Sequence, residues 1–402
     1  MPNADRPRRS ILMLAGDVSG DVHAAALGMR LVRSDPKLTV HALGGRRLRE
    51  VVQHSSGGVF LADTTNCSAI GVLSACQIYL HCRTLRDGMW EFLRTHHVDL
   101  AILCDWGAFN GRVLPGFHAR GIPTLYYFPP RSWQRSGSLG LGIAPFVTRI
   151  ATPFPWSADR LRSAGARADW VGHASLENVP TPADRPHLRE RFGVRPEDKL
   201  VALLPGSRPS EIRVLAPRVA KAAAIAGARL PLTFVAVVPG ENAAEARRYL
   251  PPSIRIVTDC AKQLLVASDA AVVKTGTGTL EAVICGAPQV AIYDVSIPRR
   301  IEWLLLWAWR WVPFIAMPNI ILQKSVVPEL WGLGCRPEKI AARLVEILTD
   351  DNVRGAMLRD YDEIHQALGA ELPMSPTERT AQIVEEMLST SDRKMDIEPV
   401  PA

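Results

Sequence analysis

No run of this sequence reads as a membrane span. The apolar part of the segment Arg299–Pro318 is broken by Arg310 and Pro313, well short of the ~20 residues a helix needs to cross hydrocarbon. Ile11–Ala15 is too short for the apolar core of a secretory signal. Seven cysteines are present, but no two form a CxxC pair or a metal-ligand spacing. They read as reduced core residues rather than as a disulfide scaffold or a zinc module. Neither a GxGxxG fingerprint nor a Walker loop occurs, so no dinucleotide or ATP site follows. The arginines are dispersed and no nucleic-acid-binding motif appears. What is there is an ordinary soluble composition, 47% hydrophobic and 22% charged, with a formal net charge of +7. That excess suits a nucleotide-sugar, a nucleic acid or an anionic membrane face, and charge alone does not choose among them.

The 402 residues point to two domains, each large enough to bury a core. Short apolar runs at Ile11–Ala15, Thr39–Leu43, Val98–Cys104, Thr124–Phe128 and Thr148–Thr152 read as strands, with a further strand ending at Trp170–His173. A helix after the first strand should bury Ala24, Leu27, Leu31 and Val32. The Pro-rich stretch Val179–Pro186 reads as the linker between halves. Strands then resume at Val201–Leu204, Thr233–Val238, Ile254–Val257, Ala270–Val273 and Gln289–Tyr293. Alternation of strand and helix predicts doubly wound α/β domains.

Three strand ends carry candidate chemistry. Ser268–Val290 reads as strand, Gly/Thr loop (Thr275–Thr279), helix from near Leu280, and strand. Backbone N–H groups at such a helix start receive phosphate, and Glu281 in the first turn is placed to accept hydrogen bonds from sugar hydroxyls. A capped helix with a dipole-favourable carboxylate is the other reading. Val201–Leu204 ends in Pro205-Gly206-Ser207-Arg208, with Glu211 three residues on; backbone donors beside a guanidinium make a pyrophosphate grip. Two such loops in one domain favour a nucleotide-diphosphate site. The third is Asp105, at the carboxyl end of a strand, suited to a general base or to a plain helix N-cap. The first loop, Gly16-Asp17-Val18-Ser19-Gly20, reads as a tight turn. Two apolar segments stand apart. Cys67–Leu80 is apolar on nearly every side, with Ile70, Val72 and Leu73 in it, and is a buried helix or a lipid or partner surface. Trp303, Trp307 and Trp311 recur on one helical stripe after Arg299-Arg300, fitting a membrane interface or a core helix.

Leu14–Asp21 (LAGDVSGD), Cys104–Asn110 (CDWGAFN), Gly172-His173, Leu203–Ile212 (LLPGSRPSEI), Ala267–Ala282 (ASDAAVVKTGTGTLEA) and Met317–Leu330 (MPNIILQKSVVPEL) resemble the lipid-A-disaccharide synthases, in order and register from about Ile11 to about Glu386. The resemblance implies an inverting, metal-independent GT-B glycosyltransferase without cofactor: two Rossmann-like doubly wound domains facing a cleft. It implies residues 1–178 as the acceptor-side domain, completed by a helix at about 375–390, and residues 179–374 as the UDP-sugar domain; the polar, Pro-containing end of the chain, 391–402, reads as a disordered tail. The implied reaction transfers 2,3-diacylglucosamine from UDP to 2,3-diacylglucosamine 1-phosphate, forming a β-1,6 disaccharide of lipopolysaccharide. Asp105 matches the general base. Gly206, Ser207, Arg208, Glu211, Thr275, Gly276, Thr277, Glu281, Asn319 and Gln323 fall on the donor side, and Gly16, Asp17, Ser19 and Gly20 on the acceptor loop. The implied partners are the UDP-linked acylated glucosamine donor, a lipid monosaccharide phosphate acceptor and the cytoplasmic face of the inner membrane, where the protein would be peripheral; a homodimer is admitted, not required. The pattern departs at Asp17, where the family has Glu, at Ala108, where it has a second Asp, and at Pro129–Gln134, all acceptor-side. A diverged transferase on another lipid or polyprenyl acceptor, a UDP-N-acetylglucosamine epimerase and a non-catalytic UDP-sugar binder are the alternatives.

Overall fold

The computed structural model describes residues 9–16, 18–64, 72–135, 137–138, 140–294 and 313–395. The chain divides into two compact units, Met1–Ala174 with Leu368–Ala402, and Ser175–Ala367. In the first, β1 (Ser10–Ala15), β2 (Thr39–Gly44), β3 (Phe60–Asp63), β4 (Leu100–Cys104), β5 (Thr124–Tyr127), β6 (Arg149–Thr152) and β7 (Ala168–Trp170) form one sheet. Its order is β3-β2-β1-β4-β5-β6-β7, with every pairing parallel. The second unit holds β8 (Lys199–Leu204), β9 (Leu232–Val238), β10 (Arg255–Thr258), β11 (Ala270–Lys274), β12 (Gln289–Tyr293) and β13 (Glu329–Trp331). Its order is β10-β9-β8-β11-β12-β13, again parallel throughout.

Parallel strands are covered on both faces, so they read as unbroken apolar runs instead of alternating ones. β1 shows why. Its successive side chains point to opposite faces, so Ile11, Met13 and Ala15 enter one core while Leu12 and Leu14 enter the other. The first core includes Ala24, Leu27, Leu31 and Val32 of the helix Val18–Ser34, as expected, and also Ala381, Val384 and Leu388 of the helix Pro376–Met395. Arg30 clamps that last helix through a bidentate pair with Glu378, both bonds 2.6 Å.

Several expected boundaries move. The strands β3 and β13 were not anticipated: each is a short edge strand, FLAD and ELW, with little apolar pattern to show. The Pro-rich stretch Val179–Pro186 lies inside the second unit, because Arg185 is tied to Asp269 at 2.6 Å. The chain re-enters the first unit at Leu368, and the final helix runs to Met395, into the segment expected to be a disordered tail. Val72 and Leu73 open a helix that continues to Thr95. Ile70, Trp303, Trp307 and Trp311 lie outside the described residues. Among the described residues no helix is long and apolar enough to cross a membrane.

Both sheets reverse their strand order once on either side of a central pair, β1/β4 and β8/β11. Loops leaving such a pair at its carboxyl ends diverge to opposite faces and open a crevice. The loops after β1, β4, β8 and β11 are Gly16–Asp17, Asp105-Trp106, Pro205–Arg208 and Thr275-Gly276.

Candidate active site

In the second unit the crevice at β8/β11 is organised by Glu211, on the helix Pro209–Gly227. One carboxylate oxygen accepts the N–H groups of Ser207 (3.1 Å) and Arg208 (3.3 Å). The other lies 2.8 Å from Lys274 Nζ, with the Arg208 guanidinium at 3.7 Å. Burial raises the Glu211 carboxyl, but Lys274 foremost, and then Arg208, more than offset it and hold it below its ordinary range. Gly206, at φ 129°, is required here, since a Cβ would sit 2.6 Å from that of Glu211. Glu211 therefore occupies backbone donors that the sequence assigned to a ligand. Ser207 and the Arg208 side chain remain at the surface of the loop.

Across the crevice, the helix expected from Leu280 begins at Thr277. Gly276 adopts φ 138°, which only glycine takes easily. Thr275 is buried and bonds the carbonyl of Ile292 (2.9 Å), and Thr279 turns inward to bond Gly276 O (2.7 Å). Gly276 and Thr277 are the exposed part of the loop. The earlier start puts Glu281 in the second turn, so the first-turn dipole argument for it fails. Burial pushes its carboxyl up, and the nearby Lys262 ammonium partly offsets this. Lys262 donates to the carbonyls of Ser175 (2.7 Å) and Glu177 (2.5 Å). The same burial, with Glu281 alongside, pushes the Cys285 thiol up to about 12, which keeps it inert.

Asn319 is not available to a ligand. Its amide has two donors and two acceptor lone pairs. All are used: by Val326 N–H (2.8 Å), Val327 N–H (2.9 Å), Val327 O (2.9 Å) and Glu329 Oε1 (2.8 Å). Gln323 is exposed in the left-handed region, at φ 55°.

In the first unit, Asp105 is no helix cap. The residue that precedes the helix Gly107–Ala119 is Trp106, and no side chain caps it. Asp105 and Trp106 both have positive φ, 50° and 46°. Three bonds hold the turn: Asp105 N–H to Tyr127 O (3.0 Å), and Tyr126 Oη (2.7 Å) and Asn110 Nδ2 (2.9 Å) to Asp105 O. The turn sends the Trp106 indole over Gly16, where an added Cβ would lie 1.9 Å from the ring. Of the loop Gly16–Gly20, Ser19 and Gly20 belong to the first helical turn and Asp17 lies outside the described residues. Buried Asp21 accepts the N–H groups of Gly45 (2.7 Å), Arg47 (3.0 Å) and Leu48 (3.1 Å), capping the helix Arg46–His54 from a distance. An aromatic group also gathers at the strand ends of this unit. His23 stacks on Phe128 with centroids 4.6 Å apart, and His173 packs edge-on to Phe128 at 5.0 Å. His23 and Lys274 were not singled out from the sequence, although each lies inside or next to a motif.

A groove of about 1140 Å³ in the first unit is lined by His96, His97, Asp99, Arg149 and Glu386. It lies at the amino ends of β4–β6, the end of the sheet opposite the loops above. Among the described residues no three His, Cys, Asp or Glu side chains are grouped to hold a metal ion.

Residues 11–384 match the family described as lipid-A-disaccharide synthetase. The chain belongs to that family. It is 31% identical over 391 residues to the lipid-A-disaccharide synthase of Syntrophus aciditrophicus, covering 95% of this chain and 98% of the relative. The Prochlorococcus marinus synthase is 32% identical over 401 residues, covering 94% and 99%. Solved structures share the fold of this synthetase-family chain at much lower identity. The calicheamicin glycosyltransferase CalG4 superposes with a TM-score of 0.58 at 15% identity, covering 96% of this chain and 99% of its own. The UDP-GlcNAc 2-epimerase of Neisseria meningitidis, bound to UDP-GlcNAc, gives 0.56 at 11%, covering 89% and 99%. The fold of this synthetase-family chain is thus the two-domain GT-B arrangement of Rossmann-like sheets, and the protein is a glycosyltransferase.

Proposed function

We propose that the protein transfers 2,3-diacylglucosamine from its UDP donor to 2,3-diacylglucosamine 1-phosphate, forming the β-1,6 disaccharide of lipid A and releasing UDP. The observation that carries this reading is family membership across nearly the whole chain, joined to Asp105 held in a strained turn at a strand-order reversal. Asp105 takes the proton of the acceptor 6-hydroxyl. That oxygen attacks the anomeric carbon from the face opposite UDP, and the bond to the diphosphate breaks with its electron pair leaving on UDP. Inversion follows from the single displacement. Arg208, Ser207 and the exposed Gly276-Thr277 turn receive the diphosphate. Glu281 accepts the ribose hydroxyls, its carboxylate steadied by Lys262. Acylated substrates place the enzyme at the cytoplasmic face of the inner membrane. Incubating the protein with UDP-2,3-diacylglucosamine and 2,3-diacylglucosamine 1-phosphate tests the reading: a disaccharide and UDP are expected. UDP-sugar turned over without an acceptor would instead indicate an epimerase, or a hydrolase where free UDP accumulates.

A further inference from the structure

Lys274 is the last residue of β11 and stands at the strand-order reversal between β8 and β11. Its side chain is only 20% exposed. An ammonium carries three N–H donors, and withdrawing one from water without partners for them is costly. Among the described residues its nitrogen has one close partner, Glu211 at 2.8 Å, and a looser approach to the Tyr293 ring at 6.0 Å. Glu211, in turn, is fully engaged by Lys274 and by the N–H groups of Ser207 and Arg208. The pair therefore satisfies the carboxylate and leaves donors of the ammonium over. The backbone beside it is kept bare: a Cβ at Gly276 would stand 3.7 Å from Lys274 Nζ, in van der Waals contact. Gly276 and Thr277 are exposed at that point. Anionic oxygen is the chemistry that takes an ammonium's spare donors at the end of a parallel strand.

We propose that Lys274 is a ligand of the donor diphosphate and stabilises the charge that builds on UDP as the glycosidic bond breaks, with Glu211 holding the ammonium in place. This rests on the donor-site reading given above. A cation aimed at the leaving group acts more strongly in the transition state than in the ground state, because the charge there is larger. Glu211, 2.8 Å away, holds the ammonium pre-positioned, so little reorganisation accompanies binding.

Calorimetric titration with UDP and with uridine separates the possibilities. In the wild-type protein UDP should bind far more tightly than uridine. Lys274→Met should weaken UDP about 10–100-fold, lower kcat, and leave uridine affinity unchanged; Lys274→Arg should restore most of the loss. The double variant Lys274→Met with Glu211→Gln removes the carboxylate that the single change strands, and it should stay as weak for UDP as Lys274→Met. Recovery of UDP affinity in the double variant, or equal loss of UDP and uridine in the single one, would make Lys274 a structural partner of Glu211 and overturn the proposal. Full UDP preference retained in a folded Lys274→Met overturns it too, with the donor site intact. If the wild-type protein does not distinguish UDP from uridine, the donor-site reading itself fails.

Discussion

Two adjacent non-glycine residues in the left-handed region cost on the order of 1–3 kcal/mol each, and Asp105-Trp106 is such a pair. The turn persists because Tyr126, Tyr127 and Asn110 hold its backbone and Gly16 gives the indole room. The helix that follows begins after Trp106, so Asp105 does not cap it. Asp105→Asn keeps the shape and removes the base, so turnover should fall about 10²–10⁴-fold with UDP affinity nearly unchanged. Paired turnover and calorimetric measurements check it; near-normal turnover removes Asp105 from the mechanism. On the donor side, Arg208→Ala and Glu281→Ala should each weaken UDP binding, the first through loss of a charge-assisted phosphate contact. Unchanged affinity in both would mean the nucleotide is bound elsewhere.

At the scale of elements, the crevice depends on how β8 and β11 are anchored at their amino ends. Asp269, just before β11, accepts the guanidinium groups of Arg185 (2.6 Å) and Arg189 (2.8 Å) and the Leu200 N–H of β8 (2.7 Å). One carboxylate thus joins the helix Arg185–Arg191 to both strands. Burial raises its pKa, but Arg189 and the Leu200 N–H lead the groups that bring it below the ordinary 3.8. A depressed carboxyl contributes stability that is complete above the unfolded value and is lost as pH falls through the folded one. Asp269→Asn should therefore cost about 2–4 kcal/mol at neutral pH. It should also flatten the fall in stability below pH about 4. Urea melts of the two proteins across pH 2–7 test this; parallel curves would show that the carboxylate charge is not what holds the elements.

For the whole molecule, the question is whether a lipid enzyme without a spanning helix among its described residues sits on a bilayer. The Arg299–Pro318 segment combines basic residues with Trp303, Trp307 and Trp311 at helical spacing. Such a stripe on a bilayer should make the protein co-sediment with anionic vesicles, and less so as salt rises. Replacing the three Trp by Ser should weaken sedimentation and leave the melting temperature in place. If the stripe is core, the same change removes several kcal/mol and drops the melting temperature sharply.

Strand positions were legible because a parallel sheet buries both faces, and continuous apolar runs such as Ile11–Ala15 and Ala270–Val273 need no context to be read. The strand-to-helix loops were legible for a related reason: glycine beside Ser, Thr or Arg marks a backbone that must turn sharply next to polar groups. Edge strands, domain boundary and helix starts were not, since each is set by partners distant in sequence. Arg185 reaches Asp269, Glu378 reaches Arg30, and the Met317 N–H reaches the Thr279 hydroxyl in the first turn of its helix. The same holds at the candidate site. Sequence by itself determined which loops are candidates for chemistry and which family the chain resembles. Only tertiary structure decided that Asn319 is spent on the chain's own backbone, that Glu211 fills the Ser207–Arg208 donors, and that Lys274 stands beside the exposed turn. Hydrogen-bond capacity is finite, and whether a polar group remains for a ligand depends on what the fold has already brought to it.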